Sequence, residues 1–181
     1  MGIIEIKHFS VIFNPTAGKG SALKKLPIIK QFLEANNLEY DIHTTEKIGH
    51  AITLTKDLCE KPDTAIIAAG GDGTINEVIN GLMMTKDKLP EFNPIFGVLT
   101  IGSGNDFAFG AGVPATLEDC LNALIDGEIK PMDVGLIKGG NYPDGRYFGN
   151  GIGVGFDTIV GLEAAKLKHI HGAAGYIVAA L

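Results

Sequence analysis

Residues 65–69 read Ala-Ile-Ile-Ala-Ala, apolar at every position, and run directly into Gly70-Gly71-Asp72-Gly73-Thr74 and a helix-spaced stretch, Ile75 to Met84. A strand with no polar face has to be covered on both sides, which is the condition of a central strand in a parallel sheet. A glycine-rich turn at its carboxyl end, opening into a helix, presents free backbone amides at the positive end of the helix dipole. This one segment restricts the chain to an α/β domain whose strand ends suit anions.

The flanking sequence agrees. Strand-like runs at Phe9 to Phe13, Tyr40 to His43 and Phe96 to Ile101 alternate with amphipathic runs at Ala22 to Ala35 and Ala51 to Leu58. Such alternation predicts a largely parallel sheet. A further helix, Leu117 to Ile125, follows Thr116 with Asp119 at capping-box spacing and closes at Gly127. After Pro131 the rhythm changes. Two strand-like runs, Asp133 to Lys138 and Tyr147 to Phe156, flank a turn-rich segment at 139–145, and Thr158 to Leu181 reads as helical with no polar tail. The expected organisation is an α/β domain over residues 1–131, followed by residues 132–181 as the incomplete beginning of a second, β-rich domain inside which the chain ends.

Composition narrows the function classes. The 181 residues are 45% hydrophobic with 25 glycines and a formal net charge of −6. That composition excludes disorder and collagen, and it leaves no broad positive field for tracking a phosphate backbone, so nucleic acid is excluded as the main partner. Acidity does not exclude a nucleotide, which needs only local donors. Cys59 and Cys120 have no second Cys or His at metal-ligand spacing, so both read as buried free thiols in a cytoplasmic, reducing location. No apolar stretch reaches the roughly 18 residues of a membrane span. Peripheral membrane contact and a homodimer both remain compatible with this reading.

Two more loops repeat the pattern of the first. Asn14-Pro15-Thr16-Ala17-Gly18-Lys19-Gly20 and Gly102-Ser103-Gly104-Asn105-Asp106 also follow apolar strands and lead toward helices. In an open parallel sheet such loops converge at the carboxyl ends of the strands and define one crevice. The common phosphate fingerprints fail there. A Walker loop ending at Gly18-Lys19 would need glycine in place of Phe13 and Ser or Thr in place of Gly20, and neither G-x-G-x-x-G nor G-x-S-x-G occurs at any of the loops.

Taken together, Asn14-Pro15-x-x-Gly18, the run Gly70-Gly71-Asp72-Gly73-Thr74-Ile75-Asn76-Glu77-Val78-Ile79-Asn80-Gly81-Leu82, and Gly102-x-Gly104-Asn105-Asp106-Phe107-Ala108 resemble the diacylglycerol kinase catalytic-domain family of bacterial lipid kinases. Sphingosine and ceramide kinases are relatives, and NAD kinases share the fold and the GGDGT string. The resemblance implies an α/β nucleotide-binding domain with a mostly parallel sheet, the truncated start of a β-sandwich domain after it, and an active site in the cleft between the two. It implies ATP-dependent transfer of the γ-phosphoryl group to a lipid hydroxyl at a membrane surface, with diacylglycerol giving phosphatidic acid. It puts ATP on Asn14, Pro15, Thr16, Ala17, Gly18, Thr45, Gly71, Asp72, Gly73, Thr74, Ile75, Asn76, Glu77 and Ser103, and a Mg²⁺-water network on Asp72, Asp106 and Asp133. Mg²⁺ suits such a set, since it binds one or two carboxylates with retained waters and substrate phosphates.

Two departures qualify the match. Phe109 stands where the family commonly has Arg, and the family's general base, in an Asp-Gly-Glu motif, is expected beyond residue 181. Asp126-Gly127-Glu128 spells those letters at a helix terminus and takes no catalytic role. The 181 residues alone are therefore expected to be inactive. The competing functions are an NAD kinase and a non-catalytic, regulatory nucleotide-binding module. Structural explanations compete residue by residue as well. Thr74 with Glu77, and Ser103 with Asp106, stand at the spacing of a capping box, just as Thr116 and Asp119 do without any glycine loop. Asp133 reads equally as an exposed strand start, Lys19 as solvated, and Phe107 and Phe109 as core.

Overall fold

The all-apolar run pairs on both sides. In this computed structural model, which describes residue 6 and residues 8–59, 64–153 and 155–166, β3 (Thr64–Gly70) lies between β1 (His8–Phe13) and β4 (Ile95–Thr100). With β2 (Tyr40–Thr44) beyond β1, the four parallel strands run in the order β2-β1-β3-β4. Alternate residues of β3 face opposite layers. Ala65, Ile67 and Ala69, with Phe9, Val11 and Phe13, pack on Ile29 and Leu33 of α1 (Ala22–Ala35) and on Cys120 and Leu121 of α5 (Leu117–Asp126). Ile66 and Ala68, with Ile12, pack on α2 (His50–Leu58), α3 (Asp72–Lys86) and Phe107 of α4 (Asp106–Gly110). Ile66 and Ile67 are each 1% exposed, and burial of one such side chain contributes about 1.5–3 kcal/mol.

The chain steps from β1 to β2 in one direction and from β3 to β4 in the other. The order therefore reverses between β1 and β3, and a crevice opens at their carboxyl ends. The loops after β1 and β3 flank that point.

Residues Met1–Asn150 form one compact unit and Gly151–Leu181 another. In the first unit, β5 (Gly135–Gly139) and β6 (Tyr142–Phe148) make a two-stranded antiparallel sheet. The hairpin differs from the sequence expectation of a turn over 139–145 and a strand over 147–156. Gly139, the last residue of β5, pairs with Tyr142, and Gly140 and Asn141 make the whole turn, helped by φ of +117° and +55° at the two glycines, so β6 begins at Tyr142. Pro143, which has no backbone N–H to give, is accommodated because the strand is at an edge. In the second unit, α6 (Phe156–Lys166) accounts for the start of the helix expected over 158–181, and residues 167–181 lie outside the described ones. Among the described residues, no helix is long and apolar enough to cross a membrane.

Both cysteines are free and buried, as expected. Burial pushes the Cys59 thiol up to about 11, partly offset by a hydrogen bond involving Thr85.

Candidate functional site

The three glycine loops touch one another in pairs. At the end of β1, the Asn14 amide nitrogen Nδ2 donates to Thr74 Oγ1 at 2.9 Å, fastening the first loop to the second. Asn14 Oδ1 accepts from the Thr16 backbone N–H at 3.0 Å and from its hydroxyl at 2.8 Å, which closes the first loop on itself. Gly18 adopts φ +56°, and a Cβ there would lie 2.7 Å from the carbonyl oxygen of Ile101, so the first loop passes tightly against the start of the third. A Cβ on Gly102 would lie 2.4 Å from Gly71 Cα, so the second and third loops meet backbone to backbone. The Thr45 N–H donates to the Phe13 carbonyl at 2.9 Å and sets Thr45 beside Asn14.

Helix N-termini at this end of the sheet leave amides that need acceptors. Two of them receive carboxylates from α3. Glu77 Oε1 accepts from the Gly49 N–H at 2.8 Å and Oε2 from the Ala51 N–H at 3.2 Å, capping α2. Asp72 Oδ2 accepts from the Asn105 N–H at 3.0 Å and Oδ1 from the Phe107 N–H at 2.9 Å, capping α4. α3 itself begins after Gly71, and no side chain caps it. Its first intrahelical bond is Ile75 N–H to Gly71 O at 3.1 Å, so the amides of Asp72, Gly73 and Thr74 precede the ladder. The two capping boxes offered as structural explanations do not form at these loops, because Thr74 lies inside α3 and the N-cap of α4 is Asn105. At Thr116 the box does form, with the Asp119 N–H donating to Thr116 Oγ1 at 3.1 Å.

Asp72 and Asp106 face the same glycine. A Cβ on Gly104 would lie 3.0 Å from Asp72 Oδ2 and 3.8 Å from Asp106 Oδ2. Asp133 is exposed in the segment before β5, and Ser103 is exposed in the third loop. Among the described residues, no three His, Cys, Asp or Glu side chains form a set that could hold a metal ion. A pair of carboxylates still fits Mg²⁺, which takes one or two of them and completes its shell with water and phosphate. Each Asp72 oxygen accepts one amide and retains a further lone pair.

The sequence profile of the diacylglycerol kinase catalytic domain matches residues 8–137. The chain belongs to this family. It is 36% identical over 175 residues to a diacylglycerol kinase of Bacillus subtilis (strain 168), covering 94% of this chain and 54% of that protein. It is 34% identical over 173 residues to one of Staphylococcus saprophyticus, covering 95% and 53%. A crystal structure of a diacylglycerol kinase from Bacillus anthracis str. Sterne superposes with a TM-score of 0.61 at 31% identity, covering 71% of this chain and 46% of that one. The chain thus spans about half the length of the curated relatives it matches.

Within the diacylglycerol kinase string GGDGTINEVINGL, the asparagines do work that the sequence reading missed. Asn76 turns its side chain to β6, where Nδ2 donates to the Tyr147 carbonyl at 3.0 Å and Oδ1 accepts from Arg146 Nε at 3.0 Å and Nη2 at 2.6 Å. Asn80, wholly buried, accepts from the Tyr147 N–H at 2.9 Å and donates to the Tyr147 carbonyl at 2.9 Å, taking the place of a neighbouring strand. The available signal was the i, i+4 spacing of two amides, with the second, Asn80, flanked by the apolar Val78, Ile79 and Leu82. Replacing Asn80 with Ala leaves a buried N–H of β6 without an acceptor. Stability is expected to fall by about 1–3 kcal/mol in urea unfolding.

The Tyr147 phenol donates to Asp87 Oδ2 at 2.5 Å, and that bond, with burial second, pushes its pKa up to about 12. A proton held more tightly in the folded state stabilises fully below the ordinary tyrosine range near 10 and is lost as pH rises toward about 12. Unfolding stability is expected to decline across that window. The Tyr147→Phe variant is expected to show a shallower decline in the same pH series.

Ile75 is 1% exposed, so only its backbone is available to a ligand. Phe107 is core, as expected, but Phe109 is 91% exposed. Residues two apart on a helix point to different faces, so both could not reach the same layer.

Proposed function

We propose that the whole protein is an ATP-dependent lipid kinase, transferring the γ-phosphoryl group to the hydroxyl of diacylglycerol at a membrane surface to give phosphatidic acid. One observation carries the nucleotide half of this reading. Of the helix N-termini at the crevice, α2 and α4 are capped by carboxylates of α3, while α1 and α3 have no side-chain cap, and of these two α3 is the one that opens directly behind a glycine pair, Gly70-Gly71. The dipole and free amides of α3 suit a phosphate, which the capped termini would repel. Asn14 to Gly18, Gly71 to Thr74 and the Ile75 backbone would surround the nucleotide, with Thr45 and Ser103 at the rim. Asn76 and Glu77 would contribute by fixing β6 and α2 around it. Asp72 and Asp106 would hold Mg²⁺, which neutralises charge on the phosphates, and Asp133, which forms no metal-binding set with them, would reach the ion only through its water network. A change of domain near residue 132 belongs to the same proposal, on the ground that the β5–β6 hairpin departs there from the parallel architecture, although the hairpin packs in the same compact unit as the parallel sheet.

In the reaction the lipid hydroxyl oxygen bonds to the γ-phosphorus, the bond from that phosphorus to the β–γ bridging oxygen breaks, and the hydroxyl proton leaves to a base. Names of the relatives support the lipid acceptor. The test is to incubate the intact protein with Mg²⁺ and γ-labelled ATP, separately with diacylglycerol vesicles, with NAD and with no acceptor. Label in phosphatidic acid is the expected result. Label only in the NAD reaction makes the protein an NAD kinase, and ATP binding without any transfer makes it a regulatory module.

A further inference from the structure

α2 has no cap of its own. Its N-cap is Gly49, at φ +84°, which carries no side chain, and its leading amides at Gly49 and Ala51 are instead satisfied by Glu77, 28 and 26 residues further along the chain. The segment just before α2, residues 45–49, has few other restraints. Thr45 is tied to Phe13, the Glu46 N–H donates to His50 Nδ1 at 3.1 Å, the Lys47 carbonyl accepts from the His50 N–H at 3.1 Å, and Ile48 is 97% exposed, so its side chain adds no packing. The path of the chain from Thr45, which the Phe13 carbonyl holds, to the start of α2 therefore depends on a carboxylate that sits on a different helix.

Glu77 is also badly suited to touching a nucleotide. Against the phosphates its charge is repulsive and it offers no donor, and each of its oxygens is already engaged by an amide at the start of α2. We propose that Glu77 is a positioning residue: by capping α2 it holds the loop from Thr45 to Gly49 as one rim of the nucleotide crevice, and it affects nucleotide affinity only through that rim. This rests on the nucleotide reading above and adds a division of labour within α3. Asp72, Gly73 and Thr74 offer amides to the ligand, and Glu77 shapes the wall.

The test uses the intact protein and its Glu77→Gln, Thr45→Val and double variants. Glutamine keeps the shape but turns an NH₂ toward one of the two amides, so one charge-assisted bond is replaced by a clash of donors. Amide hydrogen exchange at Gly49 and Ala51 is expected to accelerate roughly tenfold or more in Glu77→Gln, the size of a lost hydrogen bond to a charged group. The KM for ATP should rise by a similar factor, with kcat within about threefold, as for lost uniform binding. Thr45→Val should raise KM as well, and the double variant should be no worse than the weaker-binding single one, because the two lie on one route. Unchanged exchange at Gly49 and Ala51 overturns the proposal, and so do additive effects in the double variant, which would mean that Glu77 reaches the nucleotide independently. Where Glu77→Gln does not fold, Glu77→Asp, which keeps the charge and shortens the reach, repeats the test with the same readouts. A wild-type protein that fails to bind Mg·ATP defeats the nucleotide reading itself, whereas additive losses in a wild-type background that binds ATP defeat only the role of Glu77.

Discussion

Asp72→Asn is expected to lower ATP-dependent activity of the intact protein by at least ~100-fold, as for other lost electrostatic stabilisers of a reacting group. The asparagine keeps the shape of the side chain and loses two things at once. It withdraws the negative charge that faces Gly104 together with Asp106, and it turns a donor toward either the Asn105 or the Phe107 amide. The second loss should cost about 1–3 kcal/mol of stability and loosen the start of α4. Asp106→Asn separates the effects, because Asp106 is exposed. Its expected result is a large loss of activity with stability nearly unchanged. Full activity of both variants at saturating Mg²⁺ would remove the carboxylate pair from the metal assignment and leave Asp72 as a cap alone.

Gly102→Ala is expected to reduce ATP affinity by about 10-fold or more, since a distortion of about 1–3 kcal/mol at the loop contact corresponds to a tenfold change for each ~1.4 kcal/mol. Its Cβ would lie 2.4 Å from Gly71 Cα and 3.1 Å from Gly71 N, both backbone atoms that no rotamer change can move. The second and third loops must separate, and such overpacking costs about 1–3 kcal/mol. Isothermal titration and urea unfolding of the intact protein would measure the two quantities. Gly73→Ala makes the useful contrast. No atom lies within 4 Å of a Cβ there, and alanine in a helix is better than glycine by about 0.5–1 kcal/mol. Stability is expected to rise while ATP affinity falls, since the methyl group enters the space given to phosphate. A Gly73→Ala variant that gains stability and keeps its affinity would argue that the phosphates lie elsewhere.

The parts of the fold that follow from local pattern were legible in the sequence. An all-apolar pentapeptide at Ala65 to Ala69 could only be an interior strand, and three glycine loops after three strands had to meet at one end of the sheet. Family membership was likewise carried by local strings. What was not legible depends on contacts between distant residues. Asn80 looks like any helical asparagine until Tyr147, 67 positions away, lies beside it. Glu77 spaced three after Thr74 looks like a capping box, yet the helix it caps is α2. The length of β6 was misread because a Pro-Asp-Gly cluster signals a turn in isolation, while Gly140 and Asn141 had already made it. Phe109 reads as core because it stands with Phe107 in an apolar stretch, but residues two apart on a helix point to different faces, and only Phe107 meets the sheet.

Where the phosphates sit decides the assignment of the crevice, and backbone amides report that directly. Titrating Mg·ATP into the ¹⁵N-labelled intact protein should shift the amides of Asp72, Gly73 and Thr74 most strongly, at the uncapped start of α3. The Gly49 and Ala51 amides, held by Glu77, should move little. If the three α3 amides stay unmoved at saturating nucleotide, or if the largest shifts gather at the start of α2, the uncapped helix is not the phosphate site and the account fails.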